Sequence, residues 1–176
     1  SAFGSASVLG VPLLLALLIG LSAQPLQLAQ ALKAAQQARR DNDPAAEAHA
    51  LASIAAWQPW RVGIWEEAGL KALRGGETHH AVEYLRAAQS RQELSPQGYL
   101  ALAEAHKLTG NAQAALEIWL GLVERSQAPA GVYENLTQVY MQQLHIEKAL
   151  TASQAWVRLD PGNAHAQFTT ALLLLV

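Results

Sequence analysis

The sequence repeats at an interval of about 34 residues, and this period constrains the fold more than any other feature. Aromatic, glycine, alanine and bulky residues each recur at that spacing from Arg61 onward: Trp65, Tyr99 and Tyr133; Gly76 and Gly110; Ala81, Ala115 and Ala149; Leu85 and Trp119. A period of this length is typical of arrays in which each copy buries its apolar face on its neighbours. We therefore expect a solenoid rather than a single globular core.

Each copy fits a pair of antiparallel helices. Gly69, Ala81 and Ala115 are small enough to let two helices approach closely while the aromatic residues fill the space beside them. Gly76 and Gly110 can adopt the positive φ that the end of a helix often requires. The pattern predicts a helix, a tight turn and a second helix in every copy.

This arrangement resembles the tetratricopeptide repeat (TPR) family, whose members repeat at the same interval. The similarity to the family's aromatic, Leu-small, Gly and Ala positions is carried by three copies: Trp65…Ala68-Gly69…Gly76…Ala81…Leu85…Ala88, Tyr99…Leu102-Ala103…Gly110…Ala115…Trp119…Leu122, and Tyr133…Leu136…Tyr140…Ala149…Ser153…Trp156. The third copy closes with Asp160 to Asn163, which is similar to the family's turn between repeats, and has Leu144 in the glycine position. The resemblance implies an all-α, TPR-type helical-hairpin solenoid.

We divide the chain into four parts on this basis: an apolar helix over 1–24, a degenerate leading repeat over 25–61, three repeats over 62–162, and the first helix of an incomplete further repeat over 163–176. In the leading repeat, Glu47 occupies the position at which the later copies have alanine. The last part ends in an apolar run, of which we assign Leu172, Leu173 and Leu175 to assembly. Solenoid ends normally carry a polar cap, so this run predicts cover by a further repeat, a partner, a membrane or a second copy.

The segment from Ser1 to Leu32 contains no Asp, Glu, Lys or Arg, although charged residues form 15% of the chain. Val8 to Gln24, as a helix of about 17 residues, would extend about 25 Å, which is the short limit for a membrane span. We predict that it is a membrane anchor, with a packing element in an assembly or an ordinary buried helix as alternatives. The anchor or assembly residues are Leu13, Leu14, Leu15, Leu17, Leu18 and Ile19. The expected location is a membrane or the cell envelope on a side that the sequence does not determine, and an extracellular one if a leader was removed before Ser1.

Catalytic and metal-binding patterns are weak. Cysteine is absent, and no nucleophile-elbow, phosphate-loop or His-Glu-x-x-His motif occurs. His79 and Glu83 share a helix face but supply only two ligands, and His106 lies where the family prefers a packed aromatic residue. We predict no enzyme, metal or cofactor. A net charge of −2 also argues against nucleic acid as a partner.

In the TPR family, partners lie along the concave face that the first helices form. The resemblance assigns these residues to that face: Glu66, Glu67, Leu70, Arg74, Leu100, Glu104, Lys107, Glu134, Asn135, Gln138 and Met141. The resemblance implies a protein–protein interaction scaffold that binds a peptide or helix, and the apolar helix over 1–24 adds the prediction that this scaffold is membrane-anchored. The alternative is a self-assembling subunit of an extracellular filament or pilus-like polymer, joined head to tail through its two apolar ends. An accessory subunit of a membrane enzyme complex is a third possibility.

Overall fold

The computed structural model describes residues 26–61 and 63–175, and the regular secondary structure within those ranges is entirely helical. The helices are α1 (helical over 26–40), α2 (Pro44–Trp57), α3 (Gly63–Arg74), α4 (Thr78–Gln89), α5 (Pro96–Leu108), α6 (Ala112–Glu124), α7 (Ala130–Gln142), α8 (Ile146–Leu159) and α9 (Ala164–Leu173). Successive pairs form four hairpins, which we call units 1 to 4, and α9 follows as a single helix. The all-α prediction is confirmed.

Side-chain caps fix where many of these helices begin. Asp43 accepts a hydrogen bond from the Ala46 amide at α2, and Ser95 accepts one from the Gly98 amide at α5. In both helices a proline occupies the first turn, where its missing N–H costs no hydrogen bond. Asn111 and Asn163 cap α6 and α9 in the same way. Each cap satisfies an amide that the helix leaves unpaired, so the sequence sets these helix starts locally.

The turn inside each unit is built identically, one period apart. Its left-handed residue is Asn42, Gly76, Gly110 or Leu144, with φ of 52°, 78°, 80° and 59°. The amide of the next residue reaches back to a carbonyl five positions earlier, in the pairs Asp43 to Ala38, Glu77 to Ala72, Asn111 to His106 and His145 to Tyr140, at 2.8 to 2.9 Å. The unit with Leu144 therefore retains the turn without glycine.

Leu144→Gly is expected to raise the free energy of unfolding by about 0.5–1 kcal/mol. A left-handed conformation costs a residue with a Cβ about 1–2 kcal/mol, and part of the gain is lost to the greater entropy of glycine in the unfolded chain. The Leu144 side chain is 79% exposed, so little buried area is lost. Urea unfolding measures the change. Gly110→Ala is the matched control with the opposite sign, and a Leu144→Gly protein that is less stable than the parent would contradict this explanation.

Small residues hold the helices of a unit close together. Ala68, Ala72 and Ala81 are fully buried between α3 and α4. A Cβ added to Gly69 would overlap Cγ of Leu85, so glycine is what allows this approach. The buried residues form two clusters, one over units 1 and 2 that extends to Ala105 of α5, and one from unit 2 to α8 that contains Trp119 of α6. The core is a continuous layer along the array, as expected for a solenoid.

Glu47 is buried at the position where units 2 to 4 have alanine. Its carboxylate binds the ammonium of Lys71 at 2.5 Å and the guanidinium of Arg39 at 2.7 Å. Burial by itself raises the pKa of Glu47, but the hydrogen bonds and charges of Lys71 and Arg39 outweigh it, so its pKa lies below the ordinary value. A charged residue thus replaces a small one where unit 1 meets α3.

His106 packs in the interior, in accordance with its assignment to a family aromatic position. It is 4% exposed, and Arg86 of α4 donates to its Nε2 at 3.3 Å. Burial lowers the pKa of His106, and the neighbouring charge of Arg86 lowers it further. The imidazole is therefore a neutral packing group that accepts a hydrogen bond from Arg86.

The two predicted apolar ends have different outcomes. The apolar helix over 1–24 lies outside the described residues. None of the helices within 26–61 and 63–175 combines the length and apolar character that a bilayer span requires. At the other end, Leu173 is buried, whereas Leu172, Leu174 and Leu175 are 45%, 62% and 85% exposed. An apolar surface therefore remains uncovered at the described C-terminal end.

Candidate functional site: a groove along the first helices

First helices of successive units are neighbours: α3 packs directly on α5, and a side-chain hydrogen bond joins α5 to α7. Between α5 and α7 this side of the array contains a cavity of about 390 Å³, which we call the groove. Its lining includes six residues that the sequence assigned to the concave face: Leu100, Glu104, Lys107, Glu134, Asn135 and Gln138. Residues from two successive units thus meet in one site.

Lys107 connects the two walls of the groove. Its ammonium donates to Oδ1 of Asn135 on α7 at 3.0 Å and lies 3.3 Å from the carboxylate of Glu104 on its own helix. The side chains of Lys107 and Glu104 are 42% and 40% exposed, so the pair contributes little to stability. The ammonium of Lys107 is thus already engaged by Glu104 and Asn135. With Glu134 as a second carboxylate, the groove is acidic.

A second cavity of about 440 Å³ continues from the groove between α7 and α9, and we call it the C-terminal cleft. Glu134 and Gln138 line both cavities, and Met141 and Leu172 line the cleft. The other cleft residues include Trp156, His165 and Phe168, which the sequence analysis missed. The cleft is more apolar than the groove, and with it forms one surface across three first helices.

The repeat period could have identified two cleft residues on α9. Phe168 lies one period after Glu134, and Leu172 lies one period after Gln138. Extending the assigned positions by one period would have placed both on the first-helix side of α9. The two positions are polar in α7, as Glu134 and Gln138, and apolar in α9, as Phe168 and Leu172.

The α3 residues assigned to the concave face lie outside both cavities. Glu66 is 9% exposed, and its carboxylate accepts hydrogen bonds from the hydroxyl and the amide of Ser95, which fixes the start of α5. Glu67 lies 3.5 Å from Arg39, and Leu70 packs against the core. Arg74 is exposed at the end of α3. The carboxylate of Glu66 thus joins units 2 and 3 through hydrogen bonds.

Comparison with known proteins identifies the fold. No family model and no curated protein sequence matches the chain. Solved structures of MamA do match: one, described as the crystal structure of MamA protein, has a TM-score of 0.71 and 20% identity over 84% of this chain and 80% of that one. MamA residues 41 to the end from Desulfovibrio magneticus RS-1 give 0.69 and 17%, over 85% and 84%. The chain therefore has a TPR-like helical solenoid fold, as MamA does, and similarity at this identity extends to the fold alone.

Proposed function

We propose that this protein is a non-enzymatic scaffold that binds a segment of a partner protein along the groove and the C-terminal cleft. The observation that carries the proposal is the convergence of six residues, assigned from sequence alone, on one cavity between α5 and α7. The fold likeness to MamA is compatible with it. An elongated concave surface suits an extended peptide or a helix, which bury area along several units.

The chemistry of the surface indicates what kind of segment it takes. The groove presents the carboxylates of Glu104 and Glu134, and the only lysine or arginine that lines it is Lys107, which is already engaged by Glu104 and Asn135. The C-terminal cleft adds Phe168 and Leu172, which are 67% and 45% exposed. A partner segment with basic residues at one end and bulky apolar residues at the other matches both parts.

The proposal is tested by co-purification of tagged chains from the cells that make the protein. Glu134→Lys with Gln138→Lys reverses the charge at the junction of groove and cleft, where both side chains are exposed. Its matched control is Glu117→Lys with Gln154→Lys, at exposed positions on second helices α6 and α8, which changes the net charge by the same amount. Partners recovered with the parent are expected to fall at least about tenfold with the groove variant and to persist with the control. Equal recovery with both variants would refute binding at this surface.

We also propose that Val8 to Ala23 anchors the scaffold to a membrane and locates it at the cell envelope. The support is compositional: apart from Ser22 this segment has no polar side chain, and it carries no charge. The full chain is expected to float with phospholipid vesicles in a density gradient, and a chain without Ser1 to Ala23 is expected to remain in the soluble fractions. Flotation of the shortened chain would contradict the proposal.

Self-assembly is a second candidate function, favoured by the exposed leucines at the end of α9. Leu174 and Leu175 are 62% and 85% exposed, and Phe168 on α9 is 67% exposed. A head-to-tail contact between this end and the apolar N-terminal segment of another copy would build a ring or a filament. In sedimentation velocity, the full chain is then expected to form large species, and Leu172→Lys with Leu175→Lys is expected to reduce them to monomers. Monomers of the unaltered chain at all concentrations would exclude this candidate.

A further inference from the structure

Three potential metal ligands from two units meet on the second-helix side of the array. The Nε2 atom of His49 on α2 lies 3.0 Å from Oε2 of Glu77, and Nδ1 of His80 on α4 lies 2.5 Å from the same oxygen. The three donor atoms all lie within 4.8 Å of one another. We call these residues the His49–Glu77–His80 cluster.

We propose that the His49–Glu77–His80 cluster binds a zinc-class divalent metal ion and thereby ties unit 1 to unit 2. Two imidazole nitrogens and one carboxylate oxygen form a common three-ligand set for zinc, with a fourth position open to water. Ligand distances of about 2.0–2.1 Å in a tetrahedral site place donors about 3.4 Å apart. The Glu77 oxygen lies closer than that to both nitrogens, and the two nitrogens lie within 4.8 Å of each other, so rotations of these partly exposed side chains would arrange the three donors around one ion.

Tyr84 supplies the outer contact that a metal-bound histidine requires. Its hydroxyl lies 3.0 Å from Nδ1 of His49, and its ring stacks on His80 with centroids 5.8 Å apart. When Nε2 binds a metal, Nδ1 carries the proton and donates it to the phenol oxygen, which fixes the orientation of the imidazole. Tyr84 is 7% exposed and held in the core, so it provides a rigid support.

The cluster is open to ions from solution. The side chains of His49, Glu77 and His80 are 45%, 32% and 46% exposed. Glu77 precedes the first residue of α4, yet its side chain makes no capping hydrogen bond there. Its carboxylate is therefore available to bind a metal ion. The sequence analysis missed the site because His49 belongs to the preceding unit and becomes a neighbour only when the hairpins stack.

The repeat provides an internal comparison for the three positions. One period later the same positions hold Glu83, Asn111 and Ala114, and two periods later they hold Glu117, His145 and Lys148. The first of these sets has lost both imidazoles, and the second contains a lysine ammonium that would repel a cation. Neighbouring second helices recur along the array. Of the three pairs of successive units compared, units 1 and 2 alone have two histidines and a glutamate at these positions.

The test is calorimetric titration of the metal-stripped full chain with zinc chloride in a non-chelating buffer. We expect one ion bound per chain and a melting temperature several degrees higher with zinc than with EDTA. His49→Ala and His80→Ala are each expected to weaken binding at least about tenfold. Tyr84→Phe is expected to weaken it about tenfold, as loss of an outer-shell partner does. Glu77→Gln keeps the shape of a ligand and removes its charge, and it is expected to weaken binding as well.

His79→Ala is the matched control, because His79 is an exposed neighbour of His80 outside the cluster. It is expected to bind zinc as the parent does. Binding by the parent no tighter than by His49→Ala with His80→Ala would overturn the proposal, and so would equal losses with His79→Ala. Circular dichroism of each variant separates loss of the site from loss of folding, and Glu77→Gln provides a variant that retains both histidines.

Discussion

Replacing Trp119 with alanine is expected to lower the free energy of unfolding by about 3–5 kcal/mol. Trp119 lies in the second helix of unit 3, is 2% exposed, and belongs to the buried cluster that runs from unit 2 to α8. Its position is that of Leu85 one period earlier, so in units 2 and 3 a large buried side chain there fills the space between the helices. The alanine variant leaves a cavity in the layer that joins the units, and chemical denaturation measures the loss.

Trp60→Ala is the matched control for this prediction. Trp60 is 72% exposed in the segment between α2 and α3, so its removal is expected to change stability by less than about 0.5 kcal/mol. A Trp119→Ala protein as stable as Trp60→Ala would show that α6 does not pack into the array as described.

Glu47→Gln is expected to lower the free energy of unfolding by about 2 kcal/mol at neutral pH. Breaking a fully buried ion pair costs about 3–5 kcal/mol, and here the cost is smaller because Lys71 and Arg39 are 22% and 64% exposed. The amide cannot neutralise the two cations that converge on this position. Urea unfolding at pH 7 measures the change, and Glu67→Gln is the control, since Glu67 is 47% exposed and 3.5 Å from Arg39.

The stability difference between the parent and Glu47→Gln should depend on pH. The pKa of Glu47 is lowered in the folded state, so its charge stabilises the fold fully above the ordinary carboxyl pKa of 4.5. That contribution is lost as the pH falls from 4.5 through the folded pKa. The two proteins should therefore approach equal stability in acid. A difference that stays constant down to pH 3 would contradict the assignment of Glu47 as a charged, paired residue.

The periodic features of the fold could be predicted from sequence because they depend on local conformation. Gly76 and Gly110 mark the left-handed turn residues, and Asp43-Pro44 and Ser95-Pro96 mark helix starts. Asn42 and Leu144 adopt the same turn without glycine, because the hydrogen bonds of the turn and the packing of both helices impose it. Residue preference alone would not predict a left-handed conformation for Leu144.

Features that depend on contacts between units could not be predicted in the same way. The sequence assigned Glu66 to the partner-binding face, yet its carboxylate binds Ser95. Gly98 leaves the room for this contact, because a Cβ on Gly98 would lie 2.6 Å from the Glu66 carboxylate. One period away from Gly98, the chain has Ile64 and Val132. The glycine that makes the space is thus nearly one period from the side chain that uses it, and only the stacked units bring the two together.

Site-specific photo-crosslinking in the cells that make the protein tests the central claim most directly, because it records which side of the solenoid contacts a partner. A photoreactive amino acid is placed at Glu134 or Gln138, where the groove joins the C-terminal cleft, and at Gln113 or Gln154 on the second helices. All four side chains are exposed, so a photoreactive group at each position is equally accessible to a partner. We predict crosslinks to a partner protein from Glu134 and Gln138 and none from Gln113 and Gln154. Crosslinks from the second-helix positions alone would contradict a binding surface along the first helices.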